Sequence, residues 1–396
     1  MALLTFEEAL REILSRVQPL PAETVPLPEV AGRVLADDAR AATDLPPFAS
    51  SAMDGFAVRA ADTPGVLPVV ARIAAGRPAA RALRAGEDME IATGGVVPAG
   101  ADAVVPIEVV AERGDSVEIS ERVEPGTHVR PRGGDLVAGD PVVKAGTVLR
   151  PAELGALAAA GVGEVVCSRR PRAAVVTTGT ELRRPGDALE PGQIFEANGV
   201  MLAAALSAAG ALVEPPVSVS DDEREHRDAL ERGLTVDVLV TSGGVSVGPH
   251  DLVRKIETEL GVEEVFWRVA VKPGKPISFG VRGDTLVFGL PGNPVSSLVC
   301  FELFVRTAVL ALQGACDPGP SFAPGELAAP IRRNPERDEF VRARLRVDGT
   351  RATLEPVVGQ ESHMIARAAA ANALVLAPRG EGELAAGSAV RYLTLR

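Results

Sequence analysis

Val236-Asp237-Val238-Leu239-Val240-Thr241-Ser242-Gly243-Gly244-Val245-Ser246-Val247-Gly248 is a short apolar run that breaks at once into hydroxyls and glycines. A run of this length and composition reads as a buried strand, and the glycines after it as a loop at its carboxyl end. Two other stretches have the same form. Ala173-Ala174-Val175-Val176 leads into Thr177-Thr178-Gly179-Thr180-Glu181-Leu182, and Leu286-Val287-Phe288 leads into Gly289-Leu290-Pro291-Gly292-Asn293-Pro294-Val295-Ser296-Ser297. Helical stretches fall between them, from Asn198 to Ala209, Asp222 to Arg232 and Asp251 to Leu260. Alternating strand and helix predicts a parallel, doubly wound α/β sheet.

The texture differs on either side. Thr5 and Glu8 form a capping box ahead of Phe6, Ala9, Leu10, Ile13, Leu14 and Val17, which have helical spacing. From about residue 44 to 148, short apolar runs such as Leu67–Val70, Asp102–Val105, Val117–Ile119 and Pro141–Val143 alternate with Gly/Pro turns, which predicts a β-rich region. Residues 150–163 predict another helix, with Pro151 near its start. After Asp317-Pro318-Gly319-Pro320 come Phe340–Val347, Arg351–Leu354, Leu374–Leu376 and Ala389–Leu395, short strands that suggest a small barrel.

Composition narrows the function. The 396 residues carry 41 Lys+Arg against 53 Asp+Glu, a net charge of −12, which argues against nucleic acid as the main partner. Cys167, Cys300 and Cys316 have neither a zinc spacing nor a disulfide pattern, so a reducing cytoplasm is the expected setting. Met1 to Glu8 turns acidic at once, unlike a secretory leader, and no run approaches 18 uninterrupted apolar residues, so no membrane span is expected. Among the basic residues Lys is scarce: Lys144, Lys255, Lys272 and Lys275, the rest being Arg. Two of these four fall in Val271-Lys272-Pro273-Gly274-Lys275-Pro276. A compact ammonium and a planar guanidinium do different work, so this concentration marks a candidate anion site.

In an open α/β sheet, ligands bind beyond the carboxyl ends of the strands. The three Gly-rich loops occupy that edge. They expose backbone N–H groups, and Asn293-Pro294 supplies an N-cap and an N1 proline that aim a helix start at the same place. A phosphate or other oxyanion is the expected guest. Glu181, Asp221 and Asp251 flank the loops and suit a hard divalent cation such as Mg²⁺, although Asp251 and the pair Asp221-Asp222 are equally readable as helix caps. No His/Cys cluster offers zinc ligands, and no G-x-x-x-x-G-K-[ST] stretch occurs. Two further segments exceed what turns require. One is Leu45-Pro46-Pro47-Phe48-Ala49-Ser50-Ser51-Ala52-Met53-Asp54-Gly55-Phe56. The other is Ile91-Ala92-Thr93-Gly94-Gly95-Val96-Val97-Pro98.

In order, Pro-Pro-Phe-x-x-Ser-Ala-Met-Asp-Gly-Phe-Ala-Val, Thr-Gly-Gly-Val-Val-Pro, Ser-Gly-Gly-Val-Ser-Val-Gly, Lys-Pro-Gly-Lys-Pro and Gly-Leu-Pro-Gly-Asn-Pro-Val-Ser resemble the molybdopterin molybdenumtransferases, the MoeA family, to which the gephyrin E domain is similar. The resemblance spans essentially the whole chain. It implies insertion of molybdenum from molybdate into adenylylated molybdopterin, with Mg²⁺ and release of AMP. It also implies a homodimer whose site lies between the α/β domain of one subunit and the β-rich domain of the other. Upstream adenylyltransferase and downstream molybdoenzymes would be partners.

The implied architecture is an elongated dimerisation domain (1–43 and 133–171), a β-rich domain (44–132), the α/β domain (172–317) and a C-terminal β-barrel (318–396). The implied catalytic positions are Asp54, Thr93, Glu181, Asp221, Asp251, Arg268 and Lys272, with Glu181, Asp221 and Asp251 as metal ligands. Gly179, Ser242, Gly243, Gly244, Ser246, Lys275, Pro291, Gly292, Asn293 and Ser362 would bind the substrates. Arg268 stands where the family often has Lys, Thr180 where an acidic residue is frequent, and Phe56 where Tyr is usual. His128, His226 and His363 read as surface or structural residues. Two alternatives remain at this point: a molybdopterin adenylyltransferase, and a binding-only dimeric scaffold of the gephyrin type.

Overall fold

The computed structural model describes residues 3–244 and 252–395. Its centre is a seven-stranded sheet. Leu212–Val213, Arg172–Thr178, Val238–Ser242 and Thr285–Leu290 lie side by side and parallel, with Val217–Val219 also pairing with Arg172–Thr178. Ser278–Arg282 and Glu263–Trp267 continue the sheet in antiparallel fashion. The antiparallel edge departs from an all-parallel expectation for a local reason. Ser278–Arg282 and Thr285–Leu290 are joined by a two-residue turn at Gly283-Asp284, too short for a crossover.

Alternate residues of the central strands enter two different cores, as a doubly wound sheet requires. Val175, Val238, Val240 and Phe288 face the helices Asn198–Ala208 and Pro294–Leu312. Ala174, Val176, Leu239 and Val287 face Glu223–Gly233 and Leu252–Glu259 through Leu230 and Ile256. Pro294–Leu312 is the one described helix long and apolar enough to cross a membrane by length and composition, and most of it is buried in this core. Glu302 and Arg306 pair within it, as expected of a core helix with one satisfied charge pair.

The amino-terminal helix Phe6–Ser15 has the expected capping box: Glu8 N–H donates to Thr5 Oγ1 (3.2 Å) and Thr5 N–H to Glu8 Oε2 (2.8 Å). Its buried face joins the same central core, where Phe6 meets Phe304 and Phe340 at centroid distances of 5.7 and 5.5 Å. The chain then leaves this core. Ala22–Pro26 pairs with Glu164–Ser168, and Ala39–Arg40 with Pro141–Val143. Val25, Leu35, Val143, Leu157 and Cys167 therefore share one apolar cluster although distant in sequence. The intervening segment forms a six-stranded sheet in the order Ala103–Pro106, Gly55–Val58, Asp88–Ile91, Gly65–Ile73, Ser116–Ile119, Ala111–Arg113. At the carboxyl end Ala323–Leu327, Asp338–Asp348, Arg351–Pro356, Ala373–Ala377 and Ala389–Thr394 close into a five-stranded barrel. Val271–Lys272, from the α/β region, pairs with the beginning of its strand Asp338–Asp348.

One buried charge in the β-rich sheet has no role in any site. Both carboxylate oxygens of Asp88 are enclosed and make no hydrogen bond among the described residues. Burial pushes its pKa up to about 7, and the neighbouring Glu90 adds to the rise. In the unfolded chain Asp88 ionises at the ordinary lower pH. Between about pH 4 and pH 7 unfolding therefore releases a proton, and stability falls as pH rises through that window. Asp88→Asn is expected to raise the melting temperature by a few degrees at pH 8 and much less at pH 4. Equal shifts at both pH values in a thermal-melt series would contradict this.

Candidate functional site

Above the carboxyl ends of the parallel strands lies a cavity of about 700 Å³. The three Gly-rich loops wall it, and Gly179, Glu181, Asp221, Ser242, Gly243, Gly244, Pro291, Gly292 and Asn293 all line it. The loops are this close because glycine permits it. Gly243 has φ +97°, and a Cβ there would sit 2.6 Å from Thr178 Oγ1 and 2.8 Å from Thr178 O. The loops are then fastened together. Asn198 Nδ2 donates to Ser242 Oγ (2.9 Å) and to Gly292 O (2.7 Å). Ser242 Oγ reaches Pro291 O and Ser297 Oγ, both at 3.3 Å, and Ser297 Oγ also donates to Pro291 O. Ser242 is 2% exposed, so its hydroxyl is a fastener of the loops. Asn198 was not among the expected site residues, because a helix-start Asn has no motif of its own.

Asn293 takes the N-cap position before Pro294, but its side chain makes no capping bond. Asn293 lines both this cavity and its neighbour. Glu181 and Asp221 are exposed at the mouth, and Asp221 Oδ2 accepts from Thr180 Oγ1 at 2.5 Å. Glu196 lines the same cavity but accepts from Gly199 N–H (2.7 Å) and is committed to the backbone. Among the described residues no cluster of three or more His, Cys, Asp or Glu side chains could hold a metal by itself. Asp251 and Ser246 lie outside the described residues. His363 lines the cavity. His226 is buried, with Nδ1 2.9 Å from Asp222 O, a structural role.

A second cavity, of about 450 Å³, continues from the first through the shared Pro276, Pro291 and Asn293. Lys272, Lys275, Ser296 and Ser362 line it. Gly274 has φ +115°, and a Cβ there would collide with Cys300 Sγ, so the turn between the two lysines needs glycine. Three residues of this cavity's surroundings had no sequence signal. Arg337 lines it with an enclosed Nε that has no hydrogen-bond partner among the described residues. Glu339 pairs with Lys272, Oε1 to Nζ 3.0 Å. Arg342, 1% exposed, donates to the carbonyls of Gly359 (2.9 Å), Met364 (3.1 Å) and Glu361 (3.2 Å), and so shapes the loop that presents Ser362. Burial holds the pKa of Arg342 below its usual value. Ser362 O in turn accepts from Val295 N–H (3.1 Å) at the start of the core helix.

The structure does not bring Arg268 to either cavity. Arg268 has φ +75°, and its guanidinium lies 3.7 Å from the ring centroid of Trp267, with Arg254 at 4.0 Å from the same ring. Asp54 and Thr93 are brought to each other. Asp54 Oδ1 accepts from Thr93 N–H (2.6 Å) and Thr93 Oγ1 (2.9 Å). The backbone hydrogen bond from Thr93, and then its hydroxyl, hold the Asp54 carboxyl below its usual pKa. This pair sits on the β-rich sheet, and neither residue lines the two cavities within one chain. Gly55 is required beside it, because a Cβ would collide with Val105 O.

Sequence comparison matches the MoeA N-terminal region (domain I and II) to residues 4–161, a molybdopterin binding domain, described as probable, to 174–311, and the MoeA C-terminal region (domain IV) to 324–395. The chain is 38% identical to molybdopterin molybdenumtransferase 2 of Mycobacterium tuberculosis over 98% of each chain. This chain belongs to the MoeA family. It is also 32% identical to the molybdopterin molybdenumtransferase of Staphylococcus aureus, covering 97% of this chain and 94% of that one. The molybdopterin biosynthesis MoeA protein of Pyrococcus horikoshii superposes with a TM-score of 0.84 at 28% identity, covering 99% and 100% of the two chains. The MoeA-type architecture thus includes both the α/β cleft and the C-terminal barrel that borders its second cavity.

Proposed function

We propose that this MoeA-family protein inserts molybdenum from molybdate into molybdopterin, taking the pterin in its adenylylated form and releasing AMP. The observation that carries this reading is the continuous trough formed by the two cavities. One part is walled by the Gly-rich loops and the Asn293-Pro294 helix start, and the other holds Lys272, Lys275 and Arg337.

Both reactants are anions, so bringing them together is opposed by their mutual repulsion. A cation about 4 Å from an anion gains roughly 4 kcal/mol at an effective dielectric near 20. Lys275 and Arg337 have no ion-pair partner among the described residues, so their charge is available to the oxyanion. The Gly-rich loops and Asn293 bind the phosphates, while Ser296 and Ser362 add hydroxyls near the lysines. AMP departure is a phosphoryl-type step, helped by positioning and electrostatics.

The hard oxygen donors at the mouth fit Mg²⁺, a cation that keeps several waters and is shared between one or two carboxylates and substrate phosphates. Glu181 and Asp221 would hold it, with Asp251 as the third candidate. Bound there, it would neutralise phosphate charge. Chelation is expected to stop AMP release, added Mg²⁺ to restore it, and Glu181→Gln to raise the Mg²⁺ needed for half-maximal rate about tenfold. Full activity in excess chelator would remove Mg²⁺ from the scheme.

Asp54 is held ionised at the surface of the β-rich sheet, away from its own chain's trough, which supports a homodimer with each site shared between subunits. The upstream adenylyltransferase and downstream molybdoenzymes would be its partners, in the cytoplasm. The deciding assay gives the purified protein adenylylated molybdopterin, molybdate and Mg²⁺. AMP and molybdenum-loaded product are expected. Adenylylation of molybdopterin from ATP, with no molybdenum insertion, would make the chain an adenylyltransferase instead.

A further inference from the structure

We propose that Glu339 of the C-terminal barrel is a positioning residue that sets where the Lys272 ammonium stands. The argument starts from strand register. Val271–Lys272 runs parallel to the beginning of Asp338–Asp348, with Lys272 opposite Glu339. The two side chains meet at 3.0 Å, and their exposures differ: the Lys272 side chain is 44% exposed and that of Glu339 is 11%. The fixed, enclosed partner is the carboxylate, so it anchors the lysine.

Lys272 needs an anchor. It stands on the wall between two cavities, the one shared with Lys275 and Ser362 and a third of about 500 Å³ lined by Arg332, Arg333 and Asn334. A four-carbon stem with free rotors can place its ammonium in either. Glu339 borders the third cavity and accepts one N–H, leaving two for an anion on the other side. A carboxylate beside an oxyanion site weakens the field there, so its presence is explained by placement rather than by attraction. Lys275 and Arg337 supply the attraction. The same strand carries Arg342, which shapes the Ser362 loop. One barrel strand thereby places two walls of the second cavity.

This inference rests on the proposed reaction, and its test separates the two. Glu339→Met keeps side-chain length with no acceptor, Glu339→Ala removes the chain, and Glu339→Gln retains a carbonyl acceptor. Melting temperature verifies folding of each. Molybdate affinity, titrated with molybdate alone, needs no turnover. Glu339→Met and Glu339→Ala are expected to weaken it about tenfold to a hundredfold and to raise KM for molybdate more than they lower kcat. Glu339→Gln is expected to recover most of the loss. On a Lys272→Ala background, Glu339→Ala should change molybdate affinity less than twofold, because its effect passes through the lysine. Normal affinity in the folded Met and Ala variants, tighter affinity, or an undiminished effect without Lys272 would overturn the proposal. A wild-type protein that binds molybdate in this Glu339-dependent way but releases no AMP would overturn the reaction and leave the positioning role standing.

Discussion

Lys272→Ala is expected to lower molybdenum insertion by a factor of about 10² to 10³, the usual loss when one charged donor aimed at a reacting oxyanion is removed. The side chain lines the second cavity and also borders the third, so truncating it removes the cation between them. Its stem is not part of the apolar core, and the protein should stay folded. A fall of several degrees in melting temperature is expected all the same, because Glu339 is left enclosed without its cation. Lys272→Arg should not restore the rate: a planar fork cannot occupy the position of a point donor beside Glu339 and still present the same face to the anion. Circular dichroism and a single-turnover AMP-release assay settle both points. Unchanged turnover of Lys272→Ala would remove it from the chemistry.

The second large effect concerns the separation of Asp54 from the trough. Asp54→Ala removes the carboxylate that Thr93 holds ionised, and should inactivate the protein as fully as Lys272→Ala. If each site draws Asp54 from one subunit and Lys272 from the other, a mixed dimer of the two inactive variants has one site with both defects and one with neither. Co-expression with random pairing would then restore about a quarter of wild-type activity. No recovery, with mixed dimers verified by differential tagging, would place Asp54 and Lys272 in separate functions or in the same chain's site.

Much of this arrangement was legible before the fold. The Thr5–Glu8 box, the apolar run into each Gly-rich loop, and the Asn293-Pro294 helix start are local statements, each decided within a few residues by backbone sterics and capping. They sufficed to place Gly179, Gly243 and Asn293 on one edge of one sheet. Where a local rule had two outcomes the structure chose. Asn293 sits at the N-cap yet makes no side-chain capping bond, and of the pair Asp221-Asp222 it is Asp222 that caps the charged helix, accepting from Arg224 N–H and Glu225 N–H. Among the described residues that leaves Asp221 with the Thr180 hydroxyl. Arg268 is a case in which the fold adds a contact that no local rule supplies. Charge and motif position point to the site, and the structure stacks its guanidinium on Trp267.

Local pattern, composition and motif order therefore determined the strand-loop-helix grammar, the anion-binding character of one sheet edge and the family. Tertiary structure decided which distant groups meet: Glu339 with Lys272, Arg342 with the Ser362 loop, Asn198 with the Gly292 turn. The physical reason is that a buried charge or amide is specified by the partner that satisfies it, and that partner is supplied by a separate strand or helix whose position depends on packing the whole core.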